Sequence, residues 1–191
     1  MLHGIVTNPD GIPYENAVVE VKDEAFQTLF SAKTDTTGHY EIDLPDGTYP
    51  FLIAVKDYAE TCLEAWAHNV PVCGEAQLDL RFESLEVYGL HAFSVKGGYP
   101  SVHLYFRPMS LAKFRAGDAD IAPEIAKLLV RIDGNLAAVL QQNRVLEYIG
   151  DRSLTAYLVQ VSLPGNTASW KRIDVEITDA DGHFGMATLF A

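Results

Sequence analysis

Basic residues are scarce in this chain: 14 lysines and arginines stand against 26 aspartates and glutamates, a formal charge of −12. That balance opposes a phosphate backbone or an anionic membrane surface unless a local basic patch compensates. The closest groupings, Arg107 with Lys113 and Arg115, and Lys171 with Arg172, read as solvated faces. Nucleic acid is therefore not an expected partner. Cysteine is scarcer still, with Cys62 and Cys73 alone. They read as two reduced, structural thiols, and pairing would require neighbouring strands and an oxidising compartment. No apolar run approaches the ~18 residues of a spanning helix, so membrane insertion is not expected. Met1-Leu2-His3 enters a strand directly, without a charged segment followed by an apolar one. That points to the cytoplasm, or to the extracellular space or cell envelope if a leader once preceded Met1.

Local catalytic signatures are missing too. There is no Gly-x-Ser-x-Gly elbow, no phosphate-cradling glycine loop and no His-Glu-x-x-His. His3, His39, His68, His91, His103 and His183 lie singly. His68 with Cys62 and Cys73 comes nearest to a metal set, at a spacing zinc modules do not use. No catalytic residue and no cofactor is expected.

What the chain does have is strand alternation and turns. Asp35 can accept from backbone N–H groups two or three residues on in Thr34-Asp35-Thr36-Thr37-Gly38, where Gly38 supplies a positive φ. Tyr40, Ile42 and Leu44 then alternate with Glu41 and Asp43, the period of a half-buried strand. After Asp46-Gly47 the expected returning stripe is Tyr49, Phe51, Ile53 and Val55. Strands are also expected at Leu2 to Thr7, Ala17 to Lys22, Phe26 to Lys33 and Tyr58 to His68.

The run Gly4-Ile5-Val6, Gly11-Ile12-Pro13, Ala17-Val18-Val19-Glu20-Val21, Thr34-Asp35, Gly38-His39-Tyr40, Leu44-Pro45 and Gly47-Thr48-Tyr49 resembles a carboxypeptidase regulatory-like domain, a prealbumin-like (transthyretin-like) β-sandwich. The resemblance covers residues 2 to about 58, and the implied domain runs to about 72. The resemblance implies a scaffold or accessory module with no catalytic residues to carry over. Transthyretin-like hydrolases of this fold end in Tyr-Arg-Gly-Ser, which is missing here, so their activity is not implied. Related surface-protein repeats form a Lys–Asn cross-link from the first strand, where this chain has His3, so a cross-link is not expected.

From Gly74 the pattern restarts with Leu78, Leu80 and Phe82. Short strands between Leu85 and Phe190, punctuated by Gly97-Gly98, Asp133-Gly134-Asn135, Gly150-Asp151, Pro164-Gly165-Asn166 and Asp181-Gly182, predict a second antiparallel sandwich, immunoglobulin-like in the broad sense. The expectation is an all-β chain of two consecutive sandwiches, 1–74 and 75–191, with a shared rigid interface. Asp120 to Leu128 is read as a short helix, with Asp120 near its cap and Pro123 in its first turn, and Leu136 to Gln142 as part of a hairpin rather than a helix.

Flat aromatic rings can stack on sugars. Tyr99, in Gly97-Gly98-Tyr99-Pro100, and Trp170, after Asn166-Thr167-Ala168-Ser169, are expected on loops, whereas Trp66 and Tyr88 are expected in a core or interface. Arg107 is suited to clamp a carboxylate or to pair with an acid of its own chain. Tyr99, Trp170, Arg107 and Trp66 are the candidate ligand-binding residues. Asp179 and Asp181, in Asp179-Ala180-Asp181-Gly182, are the metal candidates, but calcium-loop spacing is absent and the run reads as a hairpin turn. The function expected is non-catalytic binding or scaffolding, with glycan as candidate ligand. The alternative is an assembly module that pairs with other proteins through sheet edges or apolar patches.

Overall fold

The computed structural model describes residues 1–163 and 169–191, so the expected Pro164-Gly165-Asn166 turn lies outside the described residues. The chain runs β1 (Leu2–Thr7), β2 (Val18–Lys22), β3 (Thr28–Lys33), β4 (His39–Ile42), β5 (Gly47–Val55), β6 (Ala65–Val72), β7 (Ala76–Gln77) and β8 (Leu80–Arg81). It continues through β9 (Leu85–Phe93), β10 (Ser101–Ser110), a short helix α1 (Leu111–Ala116), β11 (Ile125–Ile132), β12 (Asn135–Ala137), β13 (Val139–Ile149), β14 (Arg152–Ser162), β15 (Arg172–Asp179) and β16 (Phe184–Phe190).

The fold is all-β and built as sandwiches around a long central sheet of eight strands, ordered β12-β11-β15-β16-β6-β5-β2-β3. A small sheet, β4-β1-β7 with β8 also on β1, covers one stretch of it, and a four-stranded sheet, β13-β14-β10-β9, covers another. Strand alternation puts these covers on opposite faces. Val19, Val21, Leu52, Ala54 and Met186 point into the first core with Leu2, Val6 and Tyr40. Ile53, Trp66, Val175, Ala187 and Leu189 point into the second with Val87, Leu104 and Phe106. The cores overlap along β5, β6 and β16, where both faces are buried. Each cover stops short of the sheet's full width and leaves open part of the face it packs on.

The join between the halves is parallel: β16 lies beside β6, with Ala187 opposite Trp66. Leu78, Leu80 and Phe82, expected to open the second domain, lie in the first core, because β7 and β8 pair parallel with β1. The Asp35 turn forms, Asp35 Oδ1 accepting from Thr37 N at 2.8 Å, two residues on as expected, and from His39 N at 3.0 Å, one residue further than expected. Asp133 and Gly134, at φ 50° and 79°, close the β11–β12 hairpin, the positive angles that two-residue hairpin loops require.

Three expectations are corrected. Ile125 to Leu128 belongs to strand β11 rather than to a helix. Asp120 pins its loop to β14, Oδ2 accepting from the Thr155 hydroxyl at 2.7 Å and Oδ1 from Thr155 N at 3.2 Å, so it caps nothing. The helix forms earlier, at Leu111, where the Ser110 hydroxyl accepts from Lys113 N. β6 begins at Ala65 rather than Tyr58, because Asp57 and Ala59 sit at φ 49° and 61° in a tight turn incompatible with a strand. The Tyr49–Val55 stripe also faces the other way: Leu52 and Ala54 fill the first core, while Ile53 enters the second and Phe51 packs against it. Both parities of β5 are apolar because each of its faces packs at least in part against a core. Cys62 is buried and Cys73 exposed, and both are free thiols.

Candidate ligand-binding cleft

Where the covering sheet ends at β9, the open face of β5 and β6 forms a cleft of about 210 Å³ lined by Phe26, Phe51, Trp66, His68, Tyr88, Gly89 and His91. Trp66 and His68 are two residues apart on β6 and so share a face, their rings stacked at 14° with centroids 5.9 Å apart. Phe51, opposite His68 on β5, stands edge-on to both, 6.0 Å from Trp66 and 5.6 Å from His68. Tyr88 meets Trp66 edge-on at 5.3 Å from the β9 side. Phe26 lies over Trp66 at 5.6 Å, presented by the β2–β3 turn. Its φ of 63° is unusual for a bulky residue. Asp23 holds the turn, its Oδ1 accepting from Gln27 N at 2.9 Å, and Lys22 Nζ sits 5.0 Å from the Phe26 ring.

Beneath the rings the polar groups are buried. Trp66 is 4% exposed, and its Nε1 donates to Glu86 Oε1 at 2.8 Å. Burial, reinforced by the Glu64 carboxylate, pushes Glu86 up to about 8. Burial also raises Glu64 to about 7. His68 is 7% exposed. Burial, with the neighbouring His91, lowers its pKa to about 4, so at neutral pH the ring is uncharged. Its Nε2 is buried without a hydrogen-bond partner among the described residues. An orphaned ring nitrogen is costly, and this one belongs to a side chain that lines the cleft.

The candidates from sequence are only partly brought together. Trp66 forms the cleft floor. Arg107 lies behind Tyr88, its guanidinium 4.5 Å from that ring, with Nη1 3.1 Å from Glu147 Oε1. Tyr99 is 67% exposed and is not among the cleft's lining residues. Trp170 is half-buried against the second core, and the loop before it lies largely outside the described residues. Asp179, Asp181 and His183 bring ligand atoms within 4.8 Å of one another. Asp179 is already engaged: Oδ1 accepts from Asp181 N at 3.0 Å and His183 N at 2.9 Å, and Oδ2 lies 2.9 Å from His183 Nδ1. Sequence reasoning missed Phe26, Phe51, His68 and His91 as site residues. The available signal was the pair Trp66-x-His68 on one strand, placing a polar ring beside an indole on a single face.

Residues 1–80 match the model of the carboxypeptidase regulatory-like domain. No curated protein matches the chain. Among solved structures, a DUF3823 family protein from Bacteroides ovatus is similar over 99% of this chain and 97% of its own, at 8% identity and a TM-score of 0.31. BcpA, the major pilin subunit of Bacillus cereus, is similar over 98% of this chain and 66% of its own, at 12% identity and a TM-score of 0.32. A Bacteroides uniformis protein provisionally assigned as carbohydrate-binding is similar over 100% of this chain and 98% of its own, at 10% identity and a TM-score of 0.34. Likeness at this level carries no argument about function. Among the described residues, no helix is long and apolar enough to cross a membrane.

Proposed function

We propose that the chain is a non-catalytic binding module and that the Trp66–His68 cleft takes a sugar ring. The observation that carries this reading is the buried, unpartnered Nε2 of His68 in a cleft walled by aromatic rings. A sugar offers what such a site lacks: C–H faces that pack on aromatic rings, and hydroxyls able to donate to or accept from a neutral imidazole. Phe26 and Tyr88 line the opening, 47% and 37% exposed. The match to a regulatory-like domain supports a role without chemistry. So does the engagement of Glu86 by the Trp66 indole. The eight-stranded sheet running through both halves supports their acting as one rigid unit.

The test is affinity gel electrophoresis of the purified chain through a panel of polysaccharides. Retardation by one polymer, lost in Tyr88→Ala and in His68→Ala, is the expected result. Circular dichroism of each variant checks that the fold is intact. Loss only in Tyr99→Ala or Trp170→Ala moves the site to the loops, and retardation by no polymer ends the sugar reading.

A second reading, assembly through a sheet edge, rests on β13. This 11-residue strand pairs only with β14 among the described residues. It exposes Leu146 by 75% and Tyr148 by 82%, the profile of an edge open to strand addition. Sedimentation velocity across a concentration series tests it: association abolished by Leu146→Lys supports assembly, and a monomer at all concentrations removes it.

A further inference from the structure

On the opposite face, past the edge of the small sheet, the central sheet forms another open cleft, of about 510 Å³. Three of the chain's seven arginines line it: Arg81, Arg131 and Arg172. Its apolar lining residues are Ile5, 41% exposed, and Met186, 5% exposed. Arg81 Nη2 and Arg131 Nη1 both reach the same atom, Glu176 Oε1, each at 2.7 Å. Two guanidiniums thus share one carboxylate oxygen. Arg172 places Nε and Nη2 each 2.9 Å from Asp174 Oδ1, which also accepts from the Thr188 hydroxyl at 2.7 Å. Asp79 Oδ1 is taken by Ile5 N at 2.9 Å.

Donors are therefore in excess. Each guanidinium carries five N–H groups, and the bonds just described use one from Arg81, one from Arg131 and two from Arg172. One oxygen of each carboxylate that lines the cleft, Asp79 Oδ1, Asp174 Oδ1 and Glu176 Oε1, is meanwhile taken by the protein's own donors. Two of the guanidiniums are also held against rings, Arg81 5.1 Å from Phe184 and Arg172 5.6 Å from Phe190. Stacking of this kind fixes the plane of the fork and lowers the ordering cost of binding. A donor-rich, partly ordered guanidinium cluster beside an apolar floor, in a chain of net charge −12, matches a planar acceptor joined to a C–H face.

We propose that this cleft binds a carboxylate-bearing sugar unit, its carboxylate held by the Arg81–Arg131 pair and its ring resting on Ile5 and Met186. Guanidinium forks fit a carboxylate bidentately, and Glu176 sits where it competes with the ligand for both of them. This site does not depend on the aromatic cleft, because the two lie on opposite faces of the central sheet and share no lining residue.

The test is isothermal titration of the whole chain with trigalacturonate, a neutral galactose trimer and inorganic phosphate. Saturable binding of trigalacturonate alone is expected, weakened at least tenfold by Arg131→Gln, tightened severalfold by Glu176→Gln and unchanged by Tyr88→Ala. The opposite signs of the Arg131 and Glu176 variants separate ligand binding from a purely structural ion-pair network. Absence of saturable binding, equal binding of the neutral trimer, or phosphate bound as tightly as trigalacturonate overturns the proposal. So does a Glu176→Gln variant that weakens binding.

Discussion

The indole Nε1 of Trp66 donates to Glu86 Oε1 across 2.8 Å, tying β6 of the central sheet to β9 of the sheet that covers it. Both residues are buried, so the bond locks the floor of the aromatic cleft to the second core. The same burial sets how the fold responds to pH.

Glu86, pushed up to about 8, and Glu64, to about 7, both lie above the ordinary carboxylate value of 4.5. Between those values the folded state keeps protons that the unfolded chain releases. Their contribution is whole below about 4.5 and is lost as pH rises through 7 and 8. Urea unfolding is predicted to show this loss between pH 5 and pH 8.5. Glu86→Gln, which still accepts from Trp66, gives a flatter profile over that range. An unchanged slope contradicts the assignment.

His68 acts at the other end of the scale. Its ring, lowered to about 4 from 6.5, stays neutral when folded, whereas the unfolded imidazole takes a proton below 6.5. The stability associated with it is present above 6.5 and lost as pH falls towards 4. His68→Asn is predicted to narrow the gap in melting temperature between pH 7 and pH 4.5, as measured by calorimetry against the wild-type chain.

Phe26 covers Trp66 from a turn in which its φ is 63°. Phe26→Gly relieves that backbone conformation and removes the covering ring together, so stability is predicted to change by no more than about 1 kcal/mol. Trp66 becomes more accessible. In a Trp170→Phe background, which leaves Trp66 as the sole tryptophan, acrylamide quenching is predicted to rise severalfold.

Gly185 on β16 lies hard against β9: a Cβ there would sit 2.5 Å from the Leu85 carbonyl oxygen. Gly185→Ala must push the covering sheet away from the central one. A loss of about 1–3 kcal/mol in urea unfolding is predicted, the usual cost of overpacking. A neutral substitution would mean that the two sheets are not in the contact described.

The sequence made the local elements readable and their long-range partners much less so. Asp35 and Asp133-Gly134 announce their turns because the chemistry is contained in a few adjacent residues. The parallel junction of β16 with β6 spans over a hundred residues and leaves no local mark. β5 misled because alternation identifies the burying face only when the other face is polar, and here Leu52 and Ile53 are both buried. The aromatic cleft combines a turn residue, Phe26, with residues of β5, β6 and β9. Trp66 was legible as a large apolar side chain, but its partnership with His68 and Phe51 depends on register across strands.

The most direct test of the sugar-binding account is nitrogen-15 NMR of the imidazole nitrogens, recorded as a soluble oligosaccharide of the retarding polymer is added. A saturable shift of His68 Nε2, with little change at His3 and His39 on the other side of the molecule, is the predicted result. Full binding with the His68 Nε2 resonance unmoved would contradict it.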